Sequence, residues 1–359
     1  MFKEKIAVAV SGGVDSLVAA YLLKQKGFEP VGLHFLTGFE KTSEPGQLQV
    51  LSLFDDIGIP VSVVDLTEMF AEKVVAYFSK AYNSGRTPNP CLVCNASIKF
   101  DLLLKRALRL GASKMATGHY ARVDQLPDGR WRLRKGVDKA KDQSYFLSRL
   151  TQAQLERACF PLGAWTKERV TLLAAERGLE PITAKESQDI CFIKDASYVD
   201  FLLRRGGISP RPGEIVTVSG RRIGTHSGLH RYTVGQRRGI NCPASEPYYV
   251  VRMDVKGNRL VVGFKSDLFF AHCRVNEVNW ISEMPEQPMR VHTRIRYRHR
   301  AAISTVTPVG ANGADVLFDQ PQMAVTPGQG AVFYQGENVL GSGWIEPTGL
   351  PSEVNDKVR

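Results

Sequence analysis

The chain has 359 residues, 43% of them hydrophobic, and carries a formal net charge of +11. That length holds two or three domains with real cores in an ordinary water-soluble protein, and the charge favours a polyanionic partner. Six cysteines in so long a chain exclude a disulfide scaffold, and no apolar run approaches the ~20 residues of a membrane helix.

The opening MFKEKIAVAV runs straight into a strand in place of a signal peptide, so a cytoplasmic protein off the membrane is expected. Residues 6–10 are apolar, partly β-branched and uncharged, as a buried parallel strand should be. Ser11-Gly12-Gly13-Val14-Asp15-Ser16 follows, and Asp15 or Ser16 can cap a helix whose apolar face carries Val18, Tyr21 and Leu22. A strand, a glycine turn and a helix start gather free backbone N–H groups and a positive helix end at one point, which makes an anion site. The Walker A pattern needs a lysine that is missing here, and the adjacent Gly12-Gly13 pair does not fit the Rossmann fingerprint. The string resembles instead the pyrophosphate loop of ATP pyrophosphatases, which cut ATP between the α- and β-phosphates.

Further strands are expected at 30–35, 61–64 and 115–118, with helices at 48–57, 67–81 and 96–110 between them. Such alternation implies a parallel sheet covered on both faces. Helical pattern continues at 152–157, 167–177 and 196–205. After Gly206-Gly207, glycines and prolines punctuate short segments such as 214–218, and strands are expected at 248–253, 259–262, 292–298, 315–318 and 331–334. This predicts an α/β domain over 1–205, a small β-rich domain over 206–267, a β-barrel over 268–350 and a loose tail at 351–359.

Thr87-Pro88-Asn89-Pro90-Cys91-Leu92-Val93-Cys94-Asn95 is the second informative stretch. Its prolines stiffen a loop and Asn95 can cap the helix after it, so a thiol there sits in a positive field that favours the thiolate. A zinc knuckle would need a second such cysteine pair, and the prolines break thioredoxin geometry. Cys191 lies in Ser187-Gln188-Asp189-Ile190-Cys191-Phe192, a loop with acids; Cys159, Cys242 and Cys273 read as buried hydrophobes.

Together SGGVDS, PNPCLVCN, Ala116-Thr117-Gly118-His119-Tyr120, Lys141-Asp142-Gln143-Ser144-Tyr145-Phe146 and ICFI at 190–193 resemble the MnmA family of tRNA-specific 2-thiouridylases. Gly235-Gln236-Arg237-Arg238-Gly239 and Thr326-Pro327-Gly328-Gln329 extend the likeness over nearly the whole chain, in the family's order. The resemblance implies a pyrophosphate-loop (adenine nucleotide alpha-hydrolase-like) domain that thiolates C2 of the wobble uridine, U34, in the tRNAs for Lys, Glu and Gln. It implies ATP and Mg²⁺, sulfur from a cysteine desulfurase or sulfur-relay protein, and a monomer. Ala9, Val10, Ser11, Gly12, Gly13, Val14, Asp15 and Ser16 would hold ATP, with Phe35 near the adenine and Gly118 against the nucleotide. Asn89, Pro90 and Cys91 would meet the base, Cys94 would be the nucleophile and Cys191 the persulfide carrier. His119, Lys141, Asp142, Gln143, Arg296, Tyr297, Arg298 and Gln329 would touch tRNA. Many members carry Asp where this chain has Cys91. Cys91, Cys94 and Cys191 could therefore hold a [4Fe–4S] cluster, and that route stands open beside the persulfide one.

The densest basic run is 290–300, where Arg294, Arg296, Arg298 and Arg300 would share one face of a strand and bind phosphate. Arg221, Arg222, Arg231, Arg237 and Arg238, with Tyr232 among them, suit backbone and stacking contacts. The basic stretch 130–135 fits RNA or an exposed hairpin equally. Two rivals remain: a pyrophosphate-loop ligase or amidotransferase acting on a small metabolite, and a non-catalytic RNA-binding iron–sulfur module.

Overall fold

The computed structural model describes residues 3–40, 47–182, 190–193 and 197–347. The tail expected at 351–359, the start of the 196–205 helix, and Ser187, Gln188 and Asp189 lie outside the described residues. The chain forms two compact units, one of residues 1–74, 91–194 and 337–340, the other of 75–90, 195–336 and 341–359.

The first unit contains strands β1 (Lys5–Ala9), β2 (Glu29–Leu36), β3 (Val61–Asp65), β4 (Lys114–Ala116), β5 (Ala121–Gln125), β6 (Trp131–Lys135) and β7 (Ala158–Cys159). Five of them form a parallel sheet in the order β3-β2-β1-β4-β7. The helices Val14–Gln25, Gln47–Asp55 and Lys167–Glu176 bring Leu17, Phe54 and Val170 into one core with Ile6 and Val8 of the central strand. The α/β alternation expected for this part is what the chain adopts. β5 and β6 form an antiparallel hairpin, and Asn338 and Val339 pair onto β6. That hairpin accounts for the basic stretch at 130–135: Arg132 bonds Asp124, Arg130 bonds Asp128, and Arg134 bonds Glu337. Its arginines are engaged with acids.

Two expected helices carry π-helical segments. The stretch from Thr67 runs as Thr67–Phe70, a π segment Ala71–Val75, and Ala76–Asn83. The helix expected to start at 96 instead opens at Pro90 and runs as Pro90–Cys94, π-helical Asn95–Leu103, and Leu104–Arg109. Proline explains the earlier start, since its fixed φ and missing N–H suit the first helical position. Cys91 and Cys94 are therefore helical residues, and Asn95 is an interior residue and not a cap. It is buried, and its Nδ2 donates to the Phe146 carbonyl at 3.1 Å.

The second unit holds β8 (Gly213–Thr217), β9 (Arg222–His226), β10 (Tyr249–Asp254) and β11 (Arg259–Gly263), a sheet ordered β10-β11-β8-β9 over a core of Ile215, Val250, Leu260 and Tyr232. It also holds β12 (Phe269–Trp280), β13 (Met289–Arg294), β14 (Ala302–Val309), β15 (Gly313–Met323), β16 (Gly330–Gln335) and, from residue 341 on, β17 (Asn338–Ile345). These run β12-β15-β14-β13-β16-β17, and β12 pairs back onto β17, closing the expected barrel and removing its sheet edges.

The strand expected at 292–298 ends at Arg294. Arg294 donates Nε to the His299 carbonyl at 3.0 Å and Nη2 to that of Tyr297, which folds the chain back into a turn. Arg296 donates to the carbonyls of Met323 and Ala324 at 3.3 Å each. The four arginines therefore do not share a strand face. Arg298 and Arg300 remain exposed. Tyr232 is buried, so it does not offer its ring to a base beside the exposed arginines around it.

Candidate active site

The first unit places the glycine loop just beyond the end of β1. Ala9 closes the strand, and the buried Val10 accepts at its carbonyl from His34 Nδ1 at 3.0 Å. Gly12 has a φ of +77°, a conformation side chains resist, and a Cβ there would come 2.9 Å from Ile182 Cδ1. Ser16 donates Oγ to the Gly13 carbonyl at 2.9 Å and accepts from the Ser11 N–H at 3.3 Å. Gly13, and not Asp15 or Ser16, is the N-cap of the helix from Val14, and its side-chain-free position leaves the first-turn N–H groups without a cap. Ser16 is turned into the loop, while Asp15 accepts from Tyr120 Oη at 2.7 Å and from Lys167 Nζ at 2.7 and 2.9 Å. An uncapped helix start leaves first-turn N–H groups for an anion. Gly118, beyond the end of β4, lies so close that a Cβ on it would be 2.8 Å from the Asp15 carbonyl carbon. Phe35 is half-buried on β2.

The same unit gathers the three thiols. Cys94 is buried and Cys91 half-buried on the helix from Pro90, and Cys191 is exposed on a turn closed by the Ile193 N–H to Ile190 carbonyl bond of 2.9 Å. That turn is anchored by Phe192, whose ring packs 5.7 Å from those of both Phe39 and Phe70. Cys191 stands near enough that its ionised sulfur disfavours ionisation of both Cys91 and Cys94. The expected low thiol pKa is overturned. Burial pushes Cys94 up to about 12 and Cys91 up to about 11, with only the Lys99 ammonium pulling either down. A thiol inside the helix, one turn in from its start, loses more to desolvation than it gains from the dipole.

Among the described residues no three His, Cys, Asp or Glu side chains are grouped to hold a metal ion. Of the three thiols, Cys94 is buried and Cys91 half-buried on the helix, while Cys191 is exposed on the turn.

Other expected contacts fall in both units. In the first, half-buried His119 pairs Nδ1 with Thr117 Oγ1 at 2.7 Å, and desolvation, then the Lys99 charge, hold its pKa well below the ordinary value. Asp142 is buried, accepting from the N–H groups of Gly136 and Ser144 at 3.1 Å each, while Gln143 accepts from the Tyr120 N–H at 3.0 Å. Lys141 is half-buried in the turn that Asp138 organises. In the second unit, Gln329 donates Nε2 to the carbonyls of Thr87 and Pro88 at 2.9 and 3.2 Å, bracing the segment that ends in Asn89 and Pro90. Tyr297 lies under the Arg294 guanidinium at 5.2 Å.

Sequence reasoning missed Lys99, Tyr120 and Lys167. Lys99 sits five residues after Cys94, a spacing that shares a face only on a π-helix, and nothing in the sequence announces one. Tyr120 lay inside a quoted motif, and Lys167 carried no signal beyond opening a helix.

A parallel sheet with an uncapped glycine loop after its first strand, in a unit that also holds Cys91, Cys94 and Cys191, defines a nucleotide-loop α/β protein of the ATP-pyrophosphatase class. Family models agree along the chain: residues 4–195 match a tRNA methyl transferase HUP domain, 199–264 a tRNA methyl transferase PRC-barrel domain, and 270–345 an aminomethyltransferase beta-barrel domain. The chain is 53% identical over 340 residues to the tRNA-specific 2-thiouridylase MnmA of Desulfosudis oleivorans, covering 95% of this chain and 94% of that protein. It is 46% identical to the MnmA of Syntrophotalea carbinolica, covering 96% and 99%. The U34-tRNA thiolase NcsA of Methanococcus maripaludis, solved with its [4Fe-4S] cluster, is 20% identical at a TM-score of 0.36 over 53% of this chain and 62% of that one. That likeness carries no argument. The chain belongs to the MnmA family of tRNA-specific 2-thiouridylases.

Proposed function

We propose that the protein makes 2-thiouridine at U34 of the tRNAs for Lys, Glu and Gln, as a cytoplasmic monomer. The observation that carries this is that Cys94 and Cys191, residues far apart in sequence, share one compact unit with the glycine loop in a chain of the MnmA family. We divide the chain into a catalytic part over 1–205, a central part over 206–267 and a barrel over 268–350; family-model matches over 4–195, 199–264 and 270–345 support a three-part reading.

Uracil O2 attacks the α-phosphate of ATP, Mg²⁺ accompanying the nucleotide as counter-ion, and pyrophosphate leaves. The everted base then carries an O2-adenylate. A persulfide on Cys191, loaded by a cysteine desulfurase or sulfur-relay protein, attacks C2 with its terminal sulfur. The Cys94 thiol, raised in pKa by burial, gives up its proton to solvent as it attacks Cys191 Sγ; the S–S bond breaks with its electron pair on the transferred sulfur, and AMP departs as C2=S forms. A Cys94–Cys191 disulfide remains, and a thiol reductant resets it with two electrons. This route uses two thiols; the alternative route uses Cys91 as a third, with Cys94 and Cys191, to hold a [4Fe–4S] cluster.

The test is ATP- and sulfur-dependent thiolation of unmodified tRNA, read by mass spectrometry of nucleosides. Cys94→Ala and Cys191→Ala should abolish product while Cys91→Ala retains it. Loss in Cys91→Ala, with a visible iron–sulfur band after anaerobic reconstitution, would favour the cluster route. Pyrophosphate release driven by a metabolite and not by tRNA would move the protein to the ligase class.

A further inference from the structure

Lys167 opens the helix Lys167–Glu176, and its Nζ grips both Asp15 oxygens at 2.7 and 2.9 Å. Tyr120 donates its hydroxyl to the same carboxylate at 2.7 Å. The lysine is itself anchored: its N–H donates to Asp138 Oδ2 at 2.9 Å, and Thr166 caps its helix by accepting from the Arg169 N–H at 3.3 Å. The Lys167 and Asp15 side chains are only 18% and 31% exposed, so solvent ions screen the pair less than they would a surface pair.

Asp15 lies in the first turn of the helix Val14–Gln25, at its positive end. With no ligand bound, an acid there is stabilising. Beside a polyphosphate the sign reverses, because carboxylate and phosphate repel each other and compete for the same few N–H groups. A cation on both carboxylate oxygens removes that conflict. The packing of Gly118 against the Asp15 main chain fixes where this residue stands in the loop.

We propose that Lys167 is a positioning residue for nucleotide binding: an internal counter-cation that neutralises Asp15 so that the loop 11–16 accepts a polyphosphate. The inference rests on the nucleotide reading of that loop. It requires no contact between Lys167 and the nucleotide.

The probe is α,β-methylene-ATP, whose α–β bridge cannot be cut, titrated calorimetrically into wild type, Lys167→Met, Lys167→Arg, Asp15→Asn and the Lys167→Met/Asp15→Asn double variant. Lys167→Met should bind about tenfold more weakly, a normal coupling for two groups in contact. On this reading Asp15 meets the nucleotide through its main chain and not its carboxylate, so Lys167→Arg and Asp15→Asn should bind as wild type or tighter. The double variant should recover most of the loss, since the charge that needed neutralising is gone. No recovery, or weak binding by Asp15→Asn alone, overturns the proposal, because a lysine or acid that touches the nucleotide or its metal cannot be rescued this way. If Lys167→Met fails to fold by circular dichroism, Asp15→Asn decides: full affinity supports the role and a tenfold loss ends it. A wild type with no affinity for the probe would overturn the reading of the loop itself.

Discussion

A methyl group on Gly118 would lie 2.8 Å from the carbonyl carbon of Asp15 and 2.9 Å from the Ser16 nitrogen. Both atoms are backbone in a packed first turn and cannot yield as a side-chain tip would. Gly118→Ala must therefore displace either the glycine loop or its own segment. We expect a stability loss of about 1–3 kcal/mol from overpacking, and a loss of nucleotide affinity larger than that stability change explains. Gly13→Ala is the control. Its Cβ meets nothing nearer than Ser11 Oγ at 3.6 Å, with φ at −83°, so stability should hold. Calorimetry on both variants checks the pair, and a Gly118→Ala protein binding like wild type would remove the close approach from the site's design.

Cys94 and Cys91, with pKa values pushed up to about 12 and about 11, are protonated at neutral pH. Alkylation requires the thiolate, so their rates should rise about tenfold per pH unit while Cys191, exposed, reacts first. Lys99 is the cation opposing burial, so Lys99→Met should slow Cys94 further and Lys99→Arg should not. Iodoacetamide labelling with peptide mass spectrometry across pH resolves each cysteine. Equal labelling of Cys94 and Cys191 at neutral pH would show that burial does not govern the pair.

The sequence made the sheet legible because β1 is a buried apolar run of strand length and β2 a mostly apolar one, and the loop legible because Gly12 and Gly13 stand at a strand–helix junction. The convergence of Cys191 on Cys94 came only from the resemblance; no spacing encodes it, and an aromatic cluster of Phe39, Phe70 and Phe192 builds it. The thiol pKa expectation failed because it weighed the helix dipole without the burial, which depends on tertiary packing. In the sequence Arg294 reads as one of four strand arginines because alternation is visible there. The carbonyls of Tyr297 and His299 that bend the chain back are not.

His299 carries a pH signature of its own. Desolvation first, then the Arg296 and Arg294 cations, push its pKa down to about 4 from 6.5. The folded value lies below the unfolded one, so between pH 6.5 and 4 the unfolded chain binds a proton that the folded chain does not. Stability is thus full above that window and falls as pH drops through it. The carboxylates of Asp315 and Asp124, held below 3.8 by bonds from Arg274 and Arg132, lose their contribution only at lower pH. His119, His226 and His230 shift in the same direction as His299, so His299→Gln should flatten the upper window only in part. Urea midpoints measured from neutral to acid pH test this, and identical slopes in wild type and variant would clear His299 of the effect.

The turn after β13 divides its arginines into two roles. Arg294 and Arg296 donate to main-chain carbonyls, whereas Arg298 and Arg300 are exposed. Arg294→Ala leaves the carbonyls of Tyr297 and His299 without their donor, so it should destabilise the chain by about 1–3 kcal/mol. Arg298→Ala and Arg300→Ala should leave stability unchanged. If they bind phosphate, each should lower the slope of log affinity for tRNA against log salt by about one, since each releases roughly one counter-ion. Filter binding of unmodified tRNA over a salt series distinguishes the roles. A wild-type slope in the Arg298→Ala/Arg300→Ala double variant would take the turn out of the RNA contact and leave the exposed Arg221, Arg222, Arg237 and Arg238 as the next group to titrate.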